Sequence, residues 1–216
     1  MKKKSLVSLL VAIVFLSLFI LWTVLLCFVN VKAIGPNGSK VGFAGLNSAI
    51  NQLIGAHFTL YIITDWLGLV PFAIVFCFAI LGLIQLVKRK GIFKVDADIL
   101  LLGGFYIVVF ATYVLFEYLV INYRPVLING YLEASYPSST TMLVTCVMPT
   151  AIIQLNRRVK KRLLKKIFEL LISLFIAFMV IGRFVSGVHW FSDILGGLLY
   201  SIGMVVLYCS VLSIIE

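Results

Sequence analysis

The chain has 216 residues, of which 62% are hydrophobic and only 12% are charged, and its formal net charge is +10. A soluble domain of this length cannot bury so much apolar surface, so the composition excludes a water-soluble globular protein and indicates a helical protein that crosses a membrane several times. The positive charge does not indicate a nucleic-acid partner, because the lysines and arginines cluster at the ends of apolar runs, as topology signals do.

Apolar runs predict an all-α polytopic membrane protein with six transmembrane helices, at about 6–31, 58–87, 99–121, 142–155, 167–181 and 194–215. The first run is too long for a signal peptide, so we expect a retained helix. Ala44 to Ile54 is predicted as a short interfacial helix, and Pro71 is expected to kink or start a helix within the second run. No repeat or linker divides the chain, so residues 1–216 are treated as one domain.

The distribution of positive charge predicts the orientation. Fourteen of the 18 lysines and arginines lie at the N-terminus and in the second-to-third and fourth-to-fifth loops. The positive-inside rule therefore places both termini in the cytoplasm. The loop after the third run and the break between the fifth and sixth runs then face the outside.

That last break, Gly182 to Asp193, reads G-R-F-V-S-G-V-H-W-F-S-D and holds one of the two histidines of the chain. His189 and Asp193 are four residues apart, which is one helical turn, so they can share a face. This spacing suits a carboxylate that holds an imidazole in one tautomer, with the Arg183 guanidinium nearby to bind an anion. The alternative is that His189 and Asp193 only cap the next helix.

Two further polar segments lie on the same predicted membrane face: Arg124-Pro125 after the third run and Pro137-Ser138-Ser139-Thr140 before the fourth. In order and spacing, the three segments resemble the type 2 phosphatidic acid phosphatase (lipid phosphate phosphatase) superfamily, whose signatures are K-x6-R-P, P-S-x-H and S-R-x5-H-x3-D. The third signature is complete except for Gly182 in place of serine. The detailed resemblance extends from about residue 117 to 193.

The resemblance implies a mechanism. His189 would attack phosphorus and form a phosphohistidine, and Asp193 would orient the imidazole. The phosphoryl oxygens would be held by Arg124, Arg183, Ser138 and Ser139. Neither a metal nor another cofactor is implied. The substrate would be a membrane lipid phosphate or diphosphate, reached from the extracytoplasmic side of a plasma membrane, on the bacterial pattern.

Two signature positions depart from the family pattern. Glu117 stands where a lysine is usual, and Thr140 stands where the family has the histidine that protonates the leaving oxygen. Loss of a general acid typically costs about 10²–10⁴-fold in rate. Both changes weaken ordinary phosphomonoester hydrolysis.

Three accounts of these departures stay open. The enzyme uses a better leaving group, such as a lipid diphosphate; another group supplies the proton; or the site binds phosphate without turnover. Glu117 is the sharpest candidate acid, since it is expected two turns from Arg124 on the same helix face, and His57 and Glu133 are weaker ones. The structural alternatives are an ion pair of Glu117 with Arg124 or Arg183, and an N-cap role for Thr140 and Thr141.

The sequence thus predicts a membrane lipid phosphatase or phosphotransferase. The alternative is a catalytically impaired protein that binds or transports a phospholipid or polyprenyl phosphate. A channel or an unrelated transporter is disfavoured, because the polar residues cluster at one interface and not near the midplane. The sequence leaves open whether the chain forms a homo-oligomer.

Overall fold

The computed structural model describes residues 3–215, although not the side chains of residues 3 and 4. This part of the chain is almost entirely helical, which confirms the all-α prediction. The helices are α1 Lys3–Phe28, α2 Ala44–Ile54, α3 Phe58–Leu67, α4 Leu69–Arg89, α5 Ala97–Tyr118, α6 Ser139–Arg158, α7 Arg162–Val185 and α8 Phe191–Ile215. Between α1 and α2, strand β1 (Lys32–Ala33) pairs antiparallel with β2 (Lys40–Val41).

Five helical segments are long and apolar enough to cross a membrane: Ser5–Phe28, Phe58–Arg89, Ala97–Tyr118, Arg162–Val185 and Phe191–Ile215. They establish a polytopic membrane protein. Helix α6 is not among them, because threonines, Gln154 and two arginines lower its hydropathy. Half of its 20 residues are buried, and a helix enclosed by other helices needs no apolar outer surface. The count of six spans stays a prediction.

Helix α6 lies at the centre of the bundle, where it packs against α4, α5, α7 and α8. The main apolar core joins Met142 and Val147 of α6 to Val109 of α5, Phe19 of α1 and Tyr208 of α8. Helix α1 packs along α8 so closely that a Cβ added at Gly203 would lie 2.8 Å from Leu16. The outer faces carry many exposed apolar side chains, as expected for surfaces in contact with lipid.

The second apolar run breaks at Gly68, between α3 and α4, and α4 begins at Leu69 with Pro71 in its first turn. The prediction that a helix starts near Pro71 is therefore confirmed. The predicted end of the third run is wrong. Helix α5 ends at Tyr118, so Glu117 and Arg124 do not share a helix face. Pro125 also disfavours a helical conformation at Arg124 itself. The chain instead turns back on itself, with the Arg124 N–H donating to the Glu133 carbonyl at 3.1 Å.

Candidate active site

His189 lies in a tight loop between α7 and α8. Gly187 has a positive φ of 66°, and a Cβ at this position would lie 1.8 Å from the Gly55 carbonyl oxygen. Only glycine accommodates both the backbone angle and this close approach. The loop is also held by the His57 N–H, which donates to the Ser186 carbonyl at 2.9 Å. These contacts press the loop against the α2–α3 connection and bury His189.

The His189 ring is held through Ser135. Its Nδ1 lies 3.0 Å from the Ser135 hydroxyl and 3.2 Å from the Ser135 carbonyl oxygen. The carboxylate of Asp193 is farther away, at 3.9 Å from Nδ1. The expectation that His189 and Asp193 share a helix face is therefore wrong: α8 begins at Phe191, so His189 precedes the helix and the Ser135 hydroxyl stands between the two groups.

Asp193 accepts four hydrogen bonds. The backbone N–H of Trp190 donates to Oδ2 at 2.9 Å, so Asp193 does cap α8, as the alternative interpretation held. Ser135 donates to the same oxygen at 2.5 Å. Asn122 and Ser192 each donate to Oδ1 at 3.2 Å. A carboxylate with this many donors is fixed in place. The Asp193 side chain thus caps α8 and also holds the Ser135 hydroxyl, which contacts His189.

Arg183 is almost fully buried in the last turn of α7. Its Nη1 lies 3.4 Å from the Thr64 hydroxyl and 3.5 Å from Asp65, and its Nη2 lies 3.5 Å from Nε2 of His189. The preceding residue, Gly182, permits this packing, because a Cβ there would lie 2.8 Å from the Thr64 methyl group. This contact explains why glycine suits the position where the family signature has serine.

Arg124 reaches the same region from the α5–α6 loop. Its Nε lies 3.2 Å from Glu133, and its guanidinium, like that of Arg183, lies over the ring of Tyr61, at 5.6 and 4.9 Å respectively. Among the described residues, Nη1 of Arg124 and Nε of Arg183 are buried with no hydrogen-bond partner. Buried donors of this kind are rare unless a ligand satisfies them.

Burial and the two arginines keep His189 neutral. Desolvation lowers the pKa of His189 well below its ordinary value, and the positive charges of Arg124 and Arg183 lower it further. The carbonyl oxygen of Ser135 accepts a hydrogen bond only, so the proton of the neutral ring lies on Nδ1. The unprotonated Nε2 therefore faces Arg183, and a neutral ring nitrogen with a free lone pair is able to act as a nucleophile.

A cleft opens beside His189. It is lined by Tyr113, Phe116, Glu117, Ala134, Ser135, Tyr136, Pro137, Ser139, Met142 and His189. Glu117 and Ser139 thus lie on the same cleft as the histidine. The alternative that Glu117 is a structural partner of Arg124 or Arg183 is wrong, because in residues 3–215 these arginines pair with Glu133 and Asp65.

The other sequence candidates lie apart from this cleft. The Ser138 hydroxyl lies 3.0 Å from that of Thr141, and its backbone N–H donates to the Asp193 carbonyl. A phosphate contact of Ser138 stays a prediction. Thr140 faces the α3–α4 junction, where a Cβ at Gly68 would lie 3.4 Å from its methyl group. Thr140 and Thr141 do not cap α6, since the helix begins before them, at Ser139.

His57 and Glu133 also have other partners. The exposed His57 ring lies with Nε2 2.9 Å from the Ile54 carbonyl oxygen, and Glu133 pairs with Arg124. Within the described residues, no group of three His, Cys, Asp or Glu side chains is arranged to hold a metal ion.

Sequence reasoning missed four polar residues that surround the site: Tyr61, Asp65, Asn122 and Ser135. Asp65 carried a usable signal, because a carboxylate inside an apolar run needs a partner. Asn122 and Ser135 lie in a polar loop where the sequence offers no way to rank them. Their role depends on the backbone hydrogen bond from Ser135 N–H to the Asn122 carbonyl, which brings the two ends of the loop together.

Comparison with known proteins identifies the family of the chain. A family model of the PAP2 superfamily matches residues 106–213, which is half of the chain. The fold is similar to the crystal structure of a transmembrane PAP2-type phosphatidylglycerolphosphate phosphatase from Bacillus subtilis, with a TM-score of 0.54, 20% identity, and coverage of 92% of this chain and 93% of that one. No curated protein sequence matches the chain. The matched segment contains every signature residue from Glu117 to Asp193, and the chain belongs to the PAP2 superfamily.

Proposed function

We propose that this protein hydrolyses or transfers the phosphoryl group of a membrane lipid phosphate or diphosphate through a phosphohistidine on His189. The observation that carries the proposal is the pair of buried guanidinium groups, Arg124 and Arg183. Among the described residues, Nη1 of Arg124 and Nε of Arg183 are buried without a hydrogen-bond partner, and Nη2 of Arg183 lies 3.5 Å from Nε2 of His189. Such donors are matched by the equatorial oxygens of a phosphoryl group, and they stabilise the charge that spreads over these oxygens in the transition state.

In the proposed reaction, the lone pair on Nε2 of His189 attacks phosphorus while the bond to the leaving oxygen breaks. The positive charge that develops on the ring is stabilised by Asp193, which is ionised and held by four donors. Arg124, Arg183 and Ser139 hold the phosphoryl oxygens. Water then attacks the phosphohistidine and releases phosphate, which regenerates the neutral ring.

The leaving oxygen needs a proton or must be intrinsically stable. Glu117 is the group we assign to proton donation, because it lines the cleft that contains His189 and forms no ion pair within residues 3–215, where Arg124 and Arg183 pair with Glu133 and Asp65. A lipid diphosphate leaves as a lipid monophosphate, whose oxygen is less basic than an alkoxide. We therefore expect diphosphates to depend less on Glu117 than monophosphates do.

Candidate substrates follow from the chemistry and from the relative. The Bacillus subtilis protein of similar fold is a phosphatidylglycerolphosphate phosphatase, so phosphatidylglycerol phosphate is one candidate for this chain. Phosphatidate and polyprenyl diphosphate are the others. We place the site at the outer face of the plasma membrane, with six spans and cytoplasmic termini, because the basic residues concentrate at the opposite ends of the helices.

A second function, binding or transport of a lipid phosphate without turnover, is favoured by one observation. Thr140 occupies the position of the family's acid histidine, carries no titratable group, and packs at the α3–α4 junction away from the cleft. A site with two arginines but no effective acid would retain the lipid headgroup.

The test is phosphate release in detergent from phosphatidate, phosphatidylglycerol phosphate and polyprenyl diphosphate. The wild type is compared with His189→Ala and with His57→Ala, a matched histidine outside the cleft. Release that disappears only in His189→Ala supports the enzyme. Tight lipid-phosphate binding with no release from any substrate favours the second function.

A further inference from the structure

The Ser135 hydroxyl is the only described group that contacts both the nucleophile candidate and its carboxylate. Its oxygen lies 3.0 Å from Nδ1 of His189 and 2.5 Å from Oδ2 of Asp193. The direct separation of those two groups, 3.9 Å, is too long for a hydrogen bond. Among the described groups, a hydrogen-bonded connection between the carboxylate and the imidazole therefore passes through this serine.

Proton counting fixes the direction of each bond. A serine hydroxyl has one proton, and an ionised Asp193 only accepts, so the Ser135 proton lies toward Oδ2. The Ser135 oxygen then faces His189 as an acceptor, and Nδ1 must carry the ring proton. The Ser135 carbonyl, 3.2 Å from Nδ1, makes the same demand from a second direction.

We propose that Ser135 is a positioning residue that connects Asp193 to His189 and sets the tautomer in which Nε2 is the free nucleophile. This inference rests on the proposed function. During attack, Nε2 forms its bond to phosphorus, the bond from phosphorus to the leaving oxygen breaks, and the Nδ1 proton stays in place. The positive charge stays on the ring, where it is stabilised by the Ser135 oxygen that accepts from Nδ1–H and by the Asp193 carboxylate that accepts from the Ser135 hydroxyl.

The first arm of the test is kinetic. Ser135→Ala removes the hydroxyl but keeps the backbone carbonyl, and we expect kcat to fall about tenfold to hundredfold with KM nearly unchanged. The matched control is Ser210→Ala, because Ser210 is equally buried and its hydroxyl bonds only within its own helix, to the Val206 carbonyl. A kcat in Ser135→Ala within twofold of the control overturns the proposal. A loss that lies entirely in KM also overturns it, because a structural role in the phosphate site would act there.

The second arm does not require turnover. The chain has two histidines, so histidine labelled with a nitrogen isotope gives two assignable pairs of NMR signals, and His57→Ala leaves only His189. We expect the wild type at neutral pH to show a protonated Nδ1 and an unprotonated Nε2. In Ser135→Ala, we expect a larger fraction of molecules than in the wild type to carry the proton on Nε2. Unchanged tautomer populations in Ser135→Ala overturn the inference. A wild type that holds the predicted tautomer but hydrolyses nothing would instead refute the proposed function alone.

Discussion

Two arginines and one titratable histidine lie in one small buried region, and each affects the protonation or ligand preference of the others. Arg124 and Arg183 both lie over Tyr61, and Arg183 approaches Nε2 of His189. Two guanidinium groups this close repel one another and an imidazolium, which favours an anion between them and a neutral ring beside them. The same arrangement that would attract a phosphate thus keeps His189, the proposed nucleophile, unprotonated.

The pH dependence follows from this arrangement. Because the pKa of His189 lies well below its ordinary value of 6.5, the ring stays neutral as the pH falls through that value. We expect the acid limb of kcat/KM, which reports the free enzyme, to lie below pH 6.5. Arg124→Gln removes a positive charge, so it should raise the pKa of His189 and move the acid limb upward. The control Arg89→Gln, remote from the site, should not move it. A wild-type acid limb above pH 6.5 would contradict the assignment.

The role of Glu117 is tested with glutamine, which has the shape of a protonated glutamate. Glu117→Gln keeps the size of the side chain and its place in the cleft but cannot transfer a proton. We expect turnover of phosphatidate to fall about 10²–10⁴-fold, and turnover of polyprenyl diphosphate to fall much less. Equal losses on the two substrates would exclude Glu117 as the proton donor.

At the scale of elements, the site is assembled where four segments meet. The α7–α8 loop supplies His189, the last turn of α7 supplies Arg183, the α5–α6 loop supplies Arg124 and Ser135, and α3 supplies the ring of Tyr61 beneath both arginines. No single helix holds the constellation. Small residues at the crossings, Gly182 against Thr64 and Gly187 against Gly55, set how closely these segments approach.

Gly187→Ala tests this close approach. The new Cβ would combine a strained positive φ with a contact of 1.8 Å to the Gly55 carbonyl, so the loop must shift and carry His189 with it. Gly130→Ala is the control, because Gly130 has a similar φ of 83° and nothing within 4 Å. We expect the control to cost about 1–2 kcal/mol of stability and little activity. Gly187→Ala should cost more stability and most of the activity; equal effects in a thermal unfolding and turnover comparison would contradict this account.

The sequence predicted the helices better than it predicted the contacts between loops and side chains, for identifiable reasons. Helix α2 has the predicted bounds, and Arg183, His189 and Asp193 form one constellation, because hydropathy and motif spacing are local properties. The end of α5 and the place of Ser135 depend on a loop that closes by its own backbone hydrogen bonds. The burial of α6 depends on the helices that surround it, and the sequence of α6 alone, with its threonines, does not reveal that burial.

At the scale of the whole molecule, all the site residues lie at one end of the helix bundle and the basic loops lie at the other. The exposed residue Phe93 belongs to the basic α4–α5 connection, and the exposed Tyr131 belongs to the loop that carries Arg124. If the positive-inside rule governs insertion, these two loops lie on opposite sides of the membrane.

Single added cysteines, one in each of the two loops, test this orientation. In intact cells, we expect Tyr131→Cys to react with a membrane-impermeant maleimide and Phe93→Cys to react only after permeabilisation. The unsubstituted chain, with its four native cysteines, is the background control. Labelling of Phe93→Cys alone in intact cells would reverse the proposed orientation.

The most direct test of the central claim is to trap the covalent intermediate. Purified protein is mixed with a lipid phosphate or diphosphate that carries a radiolabelled terminal phosphate, and the reaction is stopped rapidly in alkali, which preserves a nitrogen–phosphorus bond. The account predicts label on the wild-type chain, loss of that label on addition of acid, and none on His189→Ala. Label that persists on His189→Ala, or phosphate release that does not require His189, would contradict it.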